Sequence, residues 1–138
     1  MKKIVVIDGQ GGKMGCLLIE KLKASQMDAR IIAIGTNSIA TASMLRAGAD
    51  AGATGENPVL VNCPDADYIA GPIGIIAANS LMGEVTPAMA CAAASSPAEK
   101  VLIPTSRCSF HVAGIQNQPL PLLVADAANY ILSSLLSD

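Results

Sequence analysis

The amino-terminal stretch constrains this chain most. Ile4-Val5-Val6-Ile7 is a β-branched run, and Asp8-Gly9-Gln10-Gly11-Gly12-Lys13-Met14-Gly15 follows at once, before an amphipathic segment begins. β-Branched residues favour the pleated strand, and apolar residues three and four apart favour a helix. Strand, glycine-rich turn and helix in that order predict the first unit of a dinucleotide-binding fold. Gly9 would allow the tight turn, Gly11 or Gly12 the approach of a pyrophosphate, and Gly15 close packing of helix on strand. The free N–H groups and dipole at the helix start, with Gln10, Lys13 and Met14 in the loop, favour an anion there.

A chain of 138 residues is expected to be one domain, residues 1–138. The formal charge of −2, the pI near 5.2 and only three aromatic residues (Tyr68, Phe110, Tyr130) argue against nucleic acid as a partner. Met1-Lys2-Lys3 leads directly into the first strand rather than into a long apolar region. The four cysteines are widely spaced, with no C-x-x-C pair. Together these predict a cytoplasmic protein with free thiols and no zinc site. The longest apolar stretch, 69–82, is broken by Gly71-Pro72 and Gly74, so no membrane span is expected. The mean hydropathy is high (+0.47), and Glu84 is the single charged residue between Tyr68 and Ala98. That deficit predicts a subunit interface in a homodimer or larger homo-oligomer. Burial of the same span inside one subunit is the alternative.

Helical spacing of Met14, Leu17, Leu18 and Leu22 predicts a helix over 12–25. A second strand is expected over 30–34. It is followed by a helix capped by Thr36, Asn37 or Ser38 and stopped by Gly48. Residues 49–57 read as a short strand or a glycine-rich loop. Val59-Leu60-Val61-Asn62-Cys63 reads as a strand, and 67–70 as another. The two lie too close for a helical crossover, so either they form a hairpin or one lies outside the main sheet. A turn at 71–74, a helical piece at 75–81 and a helix opened by Thr86-Pro87 come next. Then a strand over 100–103, a last strand over 110–115 and a closing helix over 120–136 are expected. The whole predicts a three-layer α/β/α sandwich, Rossmann-like, with a mostly parallel sheet.

In such sheets ligands sit beyond the carboxyl ends of the strands. Those ends would gather Asp8 and the glycine loop, Thr36-Asn37, Asn62-Cys63, Gly71-Pro72 and Thr105-Ser106-Arg107-Cys108. The cofactor-binding candidates are therefore Gly9, Gln10, Gly11, Gly12, Lys13, Met14, Gly15, Thr36, Asn37 and Ser38, with NAD(P) as the expected cofactor. The substrate-binding candidates are Asn62, Cys63, Gly71, Thr105 and Arg107. The second strand ends in neither the acid that reads an NAD ribose nor an Arg for a 2′-phosphate. Asp8 either repels a phosphate or braces the loop by accepting glycine N–H bonds. Arg107 is either a bidentate ligand for phosphate or carboxylate or a solvated surface group. Cys63 and Cys108 are either buried inert thiols or a reactive pair activated by Arg107. His111, the sole histidine, is expected on a strand face.

The loop Gly9-x-x-Gly12-x-Met14-Gly15 resembles that of NADP-type reductases such as the dihydrodipicolinate reductase family. That likeness spans about a dozen residues and implies a dinucleotide on the loop. Residues 5–12, 35–41, 48–57 and 71–75, with Val61-Asn62-Cys63 and Ile103-Pro104 before Arg107-Cys108, resemble a family of small bacterial proteins. That family is common in anaerobic Firmicutes and is described as a domain of unknown function. The resemblance implies a Rossmann-like cytosolic protein and carries no catalytic residues. The sequence reading is a nucleotide-binding protein of unassigned reaction. Its alternative is a non-enzymatic regulatory or partner subunit that keeps the fold without the cofactor.

Overall fold

The computed structural model describes residues 1–105 and 109–137. Five strands alternate with helices: β1 (Lys2–Asp8), α1 (Lys13–Ala24), β2 (Ala29–Gly35), α2 (Ser38–Arg46), β3 (Ala51–Thr54), α3 (Glu56–Asn62), β4 (Tyr68–Pro72), α4 (Pro87–Ser95), β5 (Glu99–Ile103) and α5 (Leu120–Ser137). A 3₁₀ turn, Ile73–Ile76, follows β4. The sheet order is β3-β2-β1-β4-β5, and every neighbouring pair is parallel. The strand order reverses between β1 and β4, the switch point at which doubly wound sheets leave a crevice.

Strand β1 is central and buried on both faces, as parallel sheets require. Ile4 and Val6 point to one face and pack with Leu18, Ile19 and Leu22 of α1, Met44 of α2, and Val124 and Ile131 of α5. Val5 and Ile7 point to the other face and pack with Val59 of α3 and Met89, Ala90 and Ala93 of α4. The three-layer sandwich thus follows from the period-2 alternation of one strand. The Tyr68 hydroxyl hydrogen-bonds Ser134 at 2.5 Å and ties β4 to α5. Helix α5 is long and apolar enough to cross a membrane by length and composition. Here it lays Val124, Ala127, Ala128 and Ile131 on the core instead.

Three local expectations need correction, and the uncharged span finds part of its explanation within the chain. Residues 59–63 form no strand: α3 and its cap occupy them. Val59 and Cys63, four apart, are buried, while Leu60 and Val61 are exposed, which is a helical face and not a strand's alternation. A helix there also supplies the crossover that parallel β3 and β4 need. Residues 110–115 form no strand, because no neighbour pairs with them; Phe110 and Ile115 stay about half exposed (47% and 49%). Gly71 and Pro72 end β4 rather than forming a turn, and the helical piece shrinks to the 3₁₀ turn. Finally, much of the uncharged span from Tyr68 to Ala98 is internal. Tyr68, Ile69, Ala70, Ile75, Val85, Met89, Ala90, Ala93 and Ala98 are buried within the chain, so packing inside one subunit accounts for much of its missing charge. Residues 51–54, which read as strand or loop, are the edge strand β3.

Candidate functional site

The glycine loop is held from both sides by carboxylates. Asp8, the last residue of β1, is only 6% exposed. Its Oδ1 accepts the Gly9 amide at 2.8 Å and its Oδ2 the Gly15 amide at 2.7 Å. Gly15 lies in the first turn of α1, so Asp8 satisfies one of the donors that a helix start leaves open. Burial pushes the Asp8 carboxyl above its ordinary range; the Gly15 and Gly9 amides offset this in part, and the Glu84 charge adds to the rise. Asp8 is therefore a brace for the loop. Gly12 takes the left-handed conformation (φ 75°) as it enters α1, and its amide returns to the Gly9 carbonyl at 2.9 Å. Among the described residues the amides of Gly11 and Lys13 make no hydrogen bond, and Lys13 has no ion-pair partner.

Glu84 arrives from the connection between β4 and α4. Its Oε1 accepts three bonds: the Gln10 amide at 2.9 Å, the Thr36 hydroxyl at 2.5 Å and the Asn37 side-chain amide at 3.1 Å. Burial raises its carboxyl, but these three donors outweigh burial and hold it below the ordinary range. The connection is tightly wound: Asn79, Leu81 and Met82 all have φ between 54° and 65°, and Gly83 has φ 87°. Asn37 is fully used. It caps α2 through Ala40 N at 2.9 Å and donates to the Gln10 carbonyl at 3.0 Å.

A cleft of about 620 Å³ opens at the switch point, within the size range of small-molecule sites, roughly 300–1,000 Å³. One wall is residues 8–14, with Pro72 and Ile73 after β4. The facing wall is Pro104 and Thr105 after β5, residues 110–112 and 115–118, and Leu120 and Leu123 in the first turn of α5. Two helix starts, α1 and α5, therefore face one space, and neither carries an acid in its first turn.

The sequence candidates divide cleanly. Gly9, Gln10, Gly11, Gly12, Lys13 and Met14 line the cleft, as does Thr105. Gly15 lies behind the loop, where an added Cβ would stand 2.5 Å from Met44 Sδ. Thr36, Asn37 and Ser38 do not line the cleft, and the first two are held by Glu84. Gly71 is buried against the Ile7 carbonyl, and its neighbour Pro72 reaches the cleft instead. Asn62 and Cys63 leave the rim altogether, because α3 replaces the expected strand. Cys63 is fully buried near Lys3, at the opposite end of the sheet, and burial pushes its thiol up to about 11. Arg107 and Cys108 lie outside the described residues. His111 is exposed in the facing wall rather than on a strand. Among the described residues no three His, Cys, Asp or Glu side chains gather as a metal site.

The sequence reading missed Glu84 as a site residue. Its partner Gln10 is 74 positions away, and the one local signal was its isolation as the single charge in a long apolar span. The NAD(P) expected from the fold can now be tested against these residues. An adenosine ribose is read by an acceptor at the end of β2, and there a carboxylate, Glu84, turns its Oε1 to Thr36 and Asn37. The residues fit a phosphate on the loop, and they do not fit the adenosine half of a dinucleotide.

Residues 3–135 match a family model described as a domain of unknown function, DUF3842. The match bears out the resemblance to a domain of unknown function carried by residues 5–12, 35–41, 48–57 and 71–75. No curated protein matches the chain. Among solved structures, a dodecameric FMN-dependent UbiX-like decarboxylase from Escherichia coli O157:H7 is similar at 18% identity and a TM-score of 0.48. The similarity covers 98% of this chain and 76% of that one.

Proposed function

The chain belongs to the DUF3842 family, and we propose that it binds a small phosphate-bearing ligand of nucleotide type in the cleft at the β1–β4 switch point. The observation that carries this reading is that Gly11 and Lys13, whose amides make no hydrogen bond among the described residues, both line the cleft at the start of α1. Backbone donors, a helix dipole and a cation together favour a phosphate. Ile73, Leu81, Phe110, Val112, Ile115 and Leu123 supply an apolar bed for the remainder of the ligand. A reacting group beyond the phosphate would meet Thr105 and His111 in the facing wall. Self-association belongs to the same reading: Leu122, Tyr130 and Leu136 of α5 are 50–88% exposed, and a second copy would cover them.

Thermal shift with NADH, NADPH, ATP, FMN and S-adenosylmethionine tests ligand binding. A ligand at 100 times its Kd stabilises the folded state by about 2.7 kcal/mol, a clear rise in melting temperature. No rise with any of the five would overturn the reading. It would favour instead a non-enzymatic regulatory or partner subunit, a second reading that draws on the way Glu84 occupies Thr36 and Asn37.

A further inference from the structure

The two ends of the glycine loop meet different surroundings. A Cβ added at Gly9 would stand 2.6 Å from Thr36 Oγ1, 2.8 Å from Glu84 Oε1 and 2.9 Å from Leu81 Cδ1. The same atom added at Gly11 would meet nothing within 4 Å. The loop is thus packed shut at Gly9, against the end of β2, and open at Gly11. The closing element is the 79–85 connection, which sets Leu81 and Glu84 against Gly9. It is itself anchored by Asn79 N to Val85 O at 2.7 Å and by Ser80 to the Gly74 carbonyl.

Doubly wound dinucleotide sites lay the adenosine ribose across the end of the second strand, where a carboxylate accepts its hydroxyls. Here a carboxylate stands at that end too, but its Oε1 is turned onto the protein, where it takes the Thr36 hydroxyl and the Asn37 side-chain amide beside Gly9. We propose that Glu84 is a specificity-determining residue. It occupies the adenosine-ribose position and confines the site to phosphomonoesters seated over β4 and β5, mononucleotides among them, to the exclusion of dinucleotides. The inference rests on the phosphate-binding reading above and names its ligand class. The wall facing the loop comes from the segment after β5 and the start of α5, and of the closing side only Leu81 reaches the cleft, while Thr36, Asn37, Ser38 and Glu84 do not.

The test pairs ligands that share a phosphate-bearing half: NMN with NAD, and FMN with FAD. Isothermal titration of the whole chain should give at least tenfold tighter binding of the mononucleotide in at least one pair. Glu84→Gln keeps an acceptor oxygen for Gln10, Thr36 and Asn37 and should keep that preference. Glu84→Ala should shrink it to less than threefold, chiefly through a gain in dinucleotide affinity. Hydrogen exchange on the ligand-free protein should show the Gln10 amide protected in the parent and in Glu84→Gln, and unprotected in Glu84→Ala. Dinucleotides that bind as tightly as their mononucleotides would overturn the exclusion while leaving the phosphate site standing. Binding of none of the four would overturn both. A Glu84→Ala chain that keeps the full preference would overturn the role of Glu84.

Discussion

Replacing Gly11 or Gly12 by alanine should have opposite consequences although the two are adjacent. Gly12 has φ 75°, and a Cβ there would stand 2.9 Å from Ala40 Cα and 3.0 Å from Ala40 O. The left-handed conformation alone costs a side chain about 1–2 kcal/mol. Overpacking adds about 1–3 kcal/mol, and here the obstacle is the backbone of α2, which cannot rotate aside. Gly12→Ala should therefore lose about 2–5 kcal/mol, a large share of the roughly 5–15 kcal/mol that a domain has in total. Gly11 has no left-handed φ and nothing near its Cβ position. Gly11→Ala should gain about 0.4–1 kcal/mol, because alanine narrows the unfolded ensemble. Urea unfolding measures both, and an unchanged m-value would show that the difference is one of stability. Because Gly11 lines the cleft, its added methyl should also weaken phosphate binding while the fold holds. If Gly11→Ala is destabilised as much as Gly12→Ala, the loop does not have the geometry described here.

Thiol reactivity should separate by burial. Iodoacetamide at pH 8 should label exposed Cys91 in the folded chain and spare Cys63, whose thiol is pushed up to about 11, until denaturant is added; mass spectrometry reads the order. On α5, Ile131→Ala should cost about 2–5 kcal/mol and Leu136→Ala less than about 0.5 kcal/mol by urea melts, since Ile131 is fully buried and Leu136 is 88% exposed. Asp8 and Glu84 should shape acid stability in opposite senses. The folded-state value of Asp8 lies above its ordinary 3.8, so its contribution is complete below that and is lost as pH rises through the folded value. That of Glu84 lies below its ordinary 4.5, so its contribution is present above 4.5 and is lost as pH falls through the folded value. Stability measured from pH 3 to 7 should lose the first slope in Asp8→Asn and the second in Glu84→Gln.

Most of the scaffold was legible because two periodicities alternate along the chain. β1, α1, β2 and α2 follow from the 2- and 3.6-residue patterns, and Asn37 and Thr86 cap α2 and α4 as such residues do. Val59-Leu60-Val61 misled because β-branched apolar residues suit a strand, and a short apolar run does not reveal its own period. The deciding information was topological, since parallel β3 and β4 leave no alternative to a crossover. Residues 110–115 misled for the reverse reason: they carry strand-forming residues but find no strand to pair with. At the site, the glycine loop was readable because its chemistry is local. The hold of Glu84 on Gln10, Thr36 and Asn37 was not, because it joins three separate connections that only the folded sheet brings together.

The cleft has two kinds of wall. Residues 8–14 grow directly out of β1 and α1, so a change there is felt by the core through Asp8 and Gly12. The opposite wall at 110–118 belongs to no helix or strand and is largely exposed. Substitutions and length changes there can accumulate with little loss of stability. A lineage built on this fold can therefore keep one inherited wall and change what faces it by rewriting a single connection, the crevice evolving on one side only.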